Sequence, residues 1–95
     1  MPGYVIARVE VTDADKYREY AKATPPTIFK YEGKILARGG ETITLEGSPN
    51  TERVVILEFP TPEKAKAWYH SQEYQTVKKL REGAAKVLLF IIDGV

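Results

Sequence analysis

At 95 residues, with no cysteine and a formal net charge of +1, the chain fits one domain and is too short for two separate cores. The missing cysteines exclude disulfides, thiolate zinc sites, iron-sulfur clusters and a cysteine nucleophile, and 14 basic against 13 acidic side chains give no footprint for nucleic acid or anionic lipid. Hydrophobic residues at 43% and charged residues at 28% describe a folded soluble chain, neither disordered nor membrane-spanning.

The chain opens without the basic and apolar regions of a signal peptide, so the expected location is cytoplasmic. Residues 4–11 alternate as a strand: Val5, Ala7, Val9 and Val11 on one face, Tyr4, Ile6, Arg8 and Glu10 on the other. Thr12 or Asp13 then caps a helix with Ala14, Tyr17 and Ala21 as its inward stripe, and Asp15 complements the first turn. Pro25-Pro26 is expected to break or re-aim this helix, leaving a short second piece that carries Ile28, Phe29 and Tyr31. Gly33 supplies the left-handed stop. Residues 34–38 resume an extended pattern that Gly39-Gly40 interrupts and 42–46 continue, which reads as one strand with a bulge at the glycine pair that positions Arg38. The turn 47–50 leads to a strand over 53–59.

Thr61-Pro62-Glu63 starts the next helix, with Ala65, Trp68 and Tyr69 on its buried face. Ser71 caps another, whose stripe is Tyr74, Val77, Leu80 and Ala84. Residues 87–93 form the last strand, apolar on both faces. The order strand, helix, strand, strand, helix, strand is the split βαβ plan of a single ferredoxin-like α+β domain spanning 1–95, with an antiparallel sheet. Helices cover only one face of such a sheet. The apolar second face, with Tyr4 and Ile6 beside the last strand, predicts a homodimer packed sheet on sheet.

The segments Gly3-Tyr4-Val5-Ile6-Ala7, Leu36-Ala37-Arg38-Gly39-Gly40, Glu58-Phe59-Pro60, Ala67-Trp68-Tyr69 and Ser71-Gln72-Glu73-Tyr74-Gln75, continuing to Arg81-Glu82-Gly83-Ala84, occur in the order found in one family. Over nearly its whole length the chain resembles the domain of unknown function 1330 family. That resemblance implies a dimeric α+β barrel. The wider superfamily holds cofactor-independent monooxygenases, lactone isomerases, haem-degrading enzymes and chlorite dismutases, beside domains with no demonstrated chemistry.

Several side chains are candidates for a site. His70, the only histidine, titrates near neutrality but lies nearly opposite Trp68 on the helix, which directs it to solvent if Trp68 packs inward. Asn50, Trp68 and His70 match the residue types of haem-degrading relatives, yet Asn50 falls in a loop and the helix separates the other two, so no haem is expected. Arg8, Arg38 and Glu58 are charges within strands. They are either a mutual ion-pair set that fixes register at the dimer contact, or a site in which arginine binds a carboxylate or enolate and Glu58 is a base of raised pKa. Trp68, Tyr74 and Arg81, with Arg8, are the candidate ligand-binding residues; the last two helical ones either line a pocket mouth or pack with a solvated guanidinium. Ser71 lacks a nucleophile-elbow context and Gly39-Gly40 a phosphate-loop context. No metal ligand set or flavin fingerprint is present, so no cofactor is expected. The function this supports is binding of a small acidic or phenolic metabolite, extending to cofactor-independent monooxygenase or isomerase chemistry, against a non-catalytic structural or binding module. A cavity on the order of 300 Å³ or more holding both Arg38 and Glu58 is what the catalytic version requires.

Overall fold

The alternation of Val5, Ala7 and Val9 with Tyr4, Ile6 and Arg8 produces strand β1 (Gly3–Val11) in the computed structural model, which describes residues 1–95. Asp13 caps α1 (Ala14–Lys30), its carboxylate accepting from the Lys16 N–H at 3.1 Å. Strands β2 (Lys34–Arg38) and β3 (Arg53–Phe59) follow, then α2 (Pro62–His70), α3 (Gln72–Lys78), a single 3-10 turn (Lys79–Arg81) and β4 (Ala85–Asp93). The antiparallel sheet has the order β2-β3-β1-β4, the ferredoxin-like arrangement expected from the element order. No helix is long and apolar enough to cross a membrane.

Both later caps follow the sequence reading. Thr61 accepts from the Lys64 N–H and Ser71 from the Tyr74 N–H, each at 3.1 Å. The Ser71 hydroxyl also donates to the Trp68 carbonyl at 2.7 Å, so one side chain ends α2 and begins α3. The α3 stripe is shorter than expected: the helix stops at Lys78, Leu80 is exposed, and only Tyr74 and Ala84 are fully buried.

The prolines do not divide α1. It runs without interruption to Lys30, although Pro25 and Pro26 leave the carbonyls of Ala21 and Lys22 without their usual donors. Packing beyond the prolines holds the last turn. Ile28 is buried in the core, and the Trp68 indole N–H donates to the Thr27 hydroxyl at 3.0 Å. Hydroxyls of Thr24 and Thr27 donate back to the carbonyls of Tyr20 and Thr24, each at 2.7 Å. Ala14, expected inward, is exposed in the first turn.

The stop of α1 lies one residue earlier than expected. Glu32, not Gly33, takes the left-handed conformation, with φ 64°. Its N–H bonds the Phe29 carbonyl at 3.0 Å while that of Gly33 bonds Ile28 at 2.9 Å, the paired closure of a Schellman motif. Gly33 is required for a different reason: a Cβ there would lie 2.6 Å from Ile28 Cγ2 and 2.7 Å from the Phe59 ring.

The strand after it also departs from expectation. β2 ends at Arg38, and 42–46 do not extend it; the Asn50 side chain instead ties this segment down by donating to Thr42 Oγ1 (3.2 Å) and the Glu52 carbonyl (2.8 Å). Ile43 and Leu45 stand 79% and 89% exposed. The bulge is at Leu36, where the pairing shifts between Ile35↔Leu57 and Ala37↔Ile56, and not at Gly39-Gly40.

The core lies between the helices and one sheet face. Val5, Leu57, Phe59, Ala65, Trp68 and Tyr74 are almost fully enclosed. The other face is uncovered, and along β4 Leu88, Phe90 and Ile92 are 55%, 45% and 53% exposed.

Candidate functional site

Period two decides which strand residues can meet beneath the helices. Arg53 alternates in phase with Val55, Leu57 and Phe59, so it faces α1; Glu58 alternates with Ile56 and Val54 and faces away. Arg38, three residues after Ile35, would fall on the opposite face in a regular strand. The bulge at Leu36 reverses the phase, pairs Arg38 with Val55 and brings it to the same side as Ile35.

Between α1 and this inner face is a cavity of about 60 Å³. β1 and β3 supply Val5, Ala7, Val9, Val55 and Leu57 to its walls, α1 supplies Tyr17, Tyr20, Ala21 and Ile28, and Trp68 closes one side. Arg38 and Arg53 are its only charged lining residues. The space admits roughly four to six waters, well below the volume of an ordinary drug-sized pocket.

Arg53 is half-buried, its guanidinium 5.8 Å from the Tyr17 ring centroid and its Nε enclosed without a hydrogen-bond partner. Gly39, at φ +70°, lies against it; a Cβ there would come within 2.1 Å of the guanidinium nitrogen. The glycine pair thus serves Arg53 through Gly39, while Gly40 meets nothing. Arg38 is exposed at the rim. The phenols along α1 are held neutral: burial pushes Tyr17 above the ordinary phenol range, opposed in part by Arg53, and burial together with the neighbouring Tyr74 pushes Tyr20 up strongly.

The remaining candidates separate. Trp68 lines the cavity. Tyr74 stacks on Trp68 at 4.3 Å between centroids and shares a 2.7 Å hydrogen bond with the Tyr20 hydroxyl, so it reaches the cavity only through Tyr20. Arg81 lies over the Tyr20 ring at 5.3 Å without lining the space, and its Nε also lacks a partner. Glu58 is opposite Tyr4 and Lys34 on the outer face. Arg8, also outer, pairs with Glu52 at 2.6 Å. Within one chain Arg8, Arg38 and Glu58 therefore do not meet, because the three are divided between two faces and Arg8 has a different carboxylate. His70 is exposed and Asn50 is engaged in its loop, so neither is near Trp68's cavity face.

A four-stranded antiparallel sheet of this order, with an apolar cavity beneath its first helix, defines a ferredoxin-like α+β protein. The chain belongs to the DUF1330 family, a domain of unknown function, whose model matches residues 2–95. Among solved structures it is similar to a protein of unknown function from Rhodopseudomonas palustris, at 20% identity and a TM-score of 0.76, covering 99% of this chain and 82% of that one. It is similar also to SnoaB, a cofactor-independent oxygenase from Streptomyces nogalater, at 8% identity and TM-score 0.70 over 99% and 93% of the two chains. A Caulobacter crescentus protein suggested to be an antibiotic biosynthesis monooxygenase aligns at 13% identity and TM-score 0.65, over 99% and 90%. At these identities the likeness is one of fold. No curated protein matches the sequence.

Proposed function

We propose that this protein is a homodimer of single domains spanning 1–95, packed through the open sheet face, that binds a small acidic or phenolic metabolite between α1 and the sheet. The observation that carries the binding reading is the cavity itself: apolar walls, a tryptophan side and arginine as its only charge. That combination gives a ligand apolar burial and one oriented polar contact. The dimer reading rests on the uncovered row Leu88, Phe90 and Ile92 along one edge strand, with exposed Leu36 on the opposite edge strand. A fold shared with a cofactor-independent oxygenase supports extending the reading to oxygenase or isomerase chemistry on the bound molecule.

One observation favours the non-catalytic alternative. Glu58, the candidate base, is on the opposite sheet face from Arg38, and no carboxylate lines the cavity. A thermal-shift screen of small organic acids and phenols tests the binding reading, followed by oxygen-uptake measurements on the hits. Arg38→Ala is expected to weaken every anionic hit and leave the dimer intact. Absence of any hit would discard the ligand site, and hits without turnover would leave a binding module.

A further inference from the structure

We propose that the cavity selects a small apolar carboxylate, a short-chain or single-ring acid, whose carboxylate is held between the guanidinium groups of Arg38 and Arg53. The inference rests on the reading of this cavity as a ligand site and commits it to one ligand chemistry.

The two arginines are diagonal neighbours. Arg38 is opposite Val55 on the adjacent strand, and Arg53 is two residues before Val55 on the same face. Such diagonal positions are about 7–8 Å apart at the backbone, within reach of one another for long side chains. Two like charges placed together at the edge of an apolar space repel unless an anion lies between them. The fold supplies none: Glu52, beside Arg53 in sequence, is engaged with Arg8 across the sheet, and no acidic side chain lines the cavity. The buried Nε of Arg53 has no partner either.

The chemistry of the anion follows from the neighbours. A guanidinium donates two parallel hydrogen bonds to a carboxylate, which is already ionised at neutral pH. A phenol offers only a neutral oxygen unless it loses its proton, and the surroundings oppose that loss: Tyr17 remains above the ordinary phenol range even with Arg53 against it. Size follows from the cavity, whose room for roughly four to six waters limits the buried portion to a short chain or one ring. Gly39 is the positioning residue. Lacking a Cβ, it leaves the slot into which the Arg53 guanidinium fits beside Tyr17.

The test compares hexanoate and benzoate with hexanamide and benzamide, which match them in shape without the charge, by titration calorimetry at two salt concentrations. Each acid is expected to bind roughly tenfold more tightly than its amide, and only acid binding should weaken with salt. Arg38→Gln and Arg53→Gln should each bring acid affinity down towards that of the amide, with a smaller loss for the amide itself; Arg53→Lys should restore acid binding only in part. Should Arg53→Gln fail to fold, Arg38→Gln at the exposed rim still decides the matter. Equal binding of acids and amides, or acid binding indifferent to both substitutions, would overturn the carboxylate assignment and leave the cavity as a site for neutral ligands. If neither class binds, the ligand site itself is overturned with it.

Discussion

The two faces of one sheet treat charge in opposite ways. On the inner face Arg38 and Arg53 border an apolar cavity with no acid among its lining residues. On the outer face Arg8 is paired with Glu52, and Glu58 is across from Lys34, around half-buried Ile6 and Ile56 and exposed Phe90. Alternate residues of the same strands build both. Whether a strand charge meets a carboxylate or borders the apolar cavity is thus decided by phase, and in β2 a single extra residue at Leu36 sets that phase.

The sharpest way to break the contrast is at its most enclosed point. Trp68 is 1% exposed, packed against Phe59 and Tyr74 and hydrogen-bonded to Thr27. Trp68→Ala is expected to lower stability by about 3–5 kcal/mol in urea unfolding. On the outer face Phe90→Asp should leave a single chain nearly as stable but dissociate the proposed dimer, read as a change in mass by sedimentation equilibrium. A wild-type protein that sediments as a 10.7 kDa monomer at micromolar concentration would remove the sheet-packed dimer. Gly33→Ala forces a Cβ onto Ile28 and the Phe59 ring, and a loss of about 1–3 kcal/mol is expected from overpacking. Gly39→Ala should cost about 1–2 kcal/mol for its positive φ and displace Arg53. Gly40→Ala, with nothing near its Cβ position, should melt as wild type does. Equal effects at the two glycines would refute the role assigned to Gly39.

Much of this arrangement is legible in the sequence, and the parts that are not have physical causes. Strand phases in β1 and β3 follow from alternation, so the inner placement of Arg53 is readable from its spacing to Val55, Leu57 and Phe59, a charge at the start of an otherwise apolar phase. The caps at Asp13, Thr61 and Ser71 follow from side chains that can accept from free N–H groups. Arg38 was harder: its face depends on a bulge within Ile35-Leu36-Ala37, where no glycine signals it. The continuous α1 was illegible for another reason. Local rules end a helix at Pro25-Pro26, and what overrides them is a tertiary contact from Trp68, forty-one residues away along the chain from Thr27. Nothing in the residues of 42–46 distinguishes a continuing strand from a segment tied down by Asn50.

The smallest expected effect separates the walls of the cavity by pH. Tyr20 is held above the ordinary phenol range, first by burial and then by Tyr74, and Tyr17 is raised in the same direction. In the unfolded chain both phenols lose their protons near pH 10. The folded state retains them longer, so the unfolded state binds fewer protons once the pH passes that value. Their contribution to stability is therefore complete below about pH 10 and declines as the pH rises further, by up to about 1.4 kcal/mol per pH unit for each group. Tyr20→Phe removes one of the two. At pH 7 the substitution should cost about 1 kcal/mol, because the buried Tyr74 hydroxyl loses its 2.7 Å partner. Above pH 10 that deficit should shrink, since the variant has one fewer group whose ionisation favours unfolding. Urea unfolding of both proteins at pH 7, 9, 10 and 11 measures the two slopes. Parallel slopes would show that the Tyr20 phenol ionises as readily in the fold as outside it, and that this wall of the cavity is open to water.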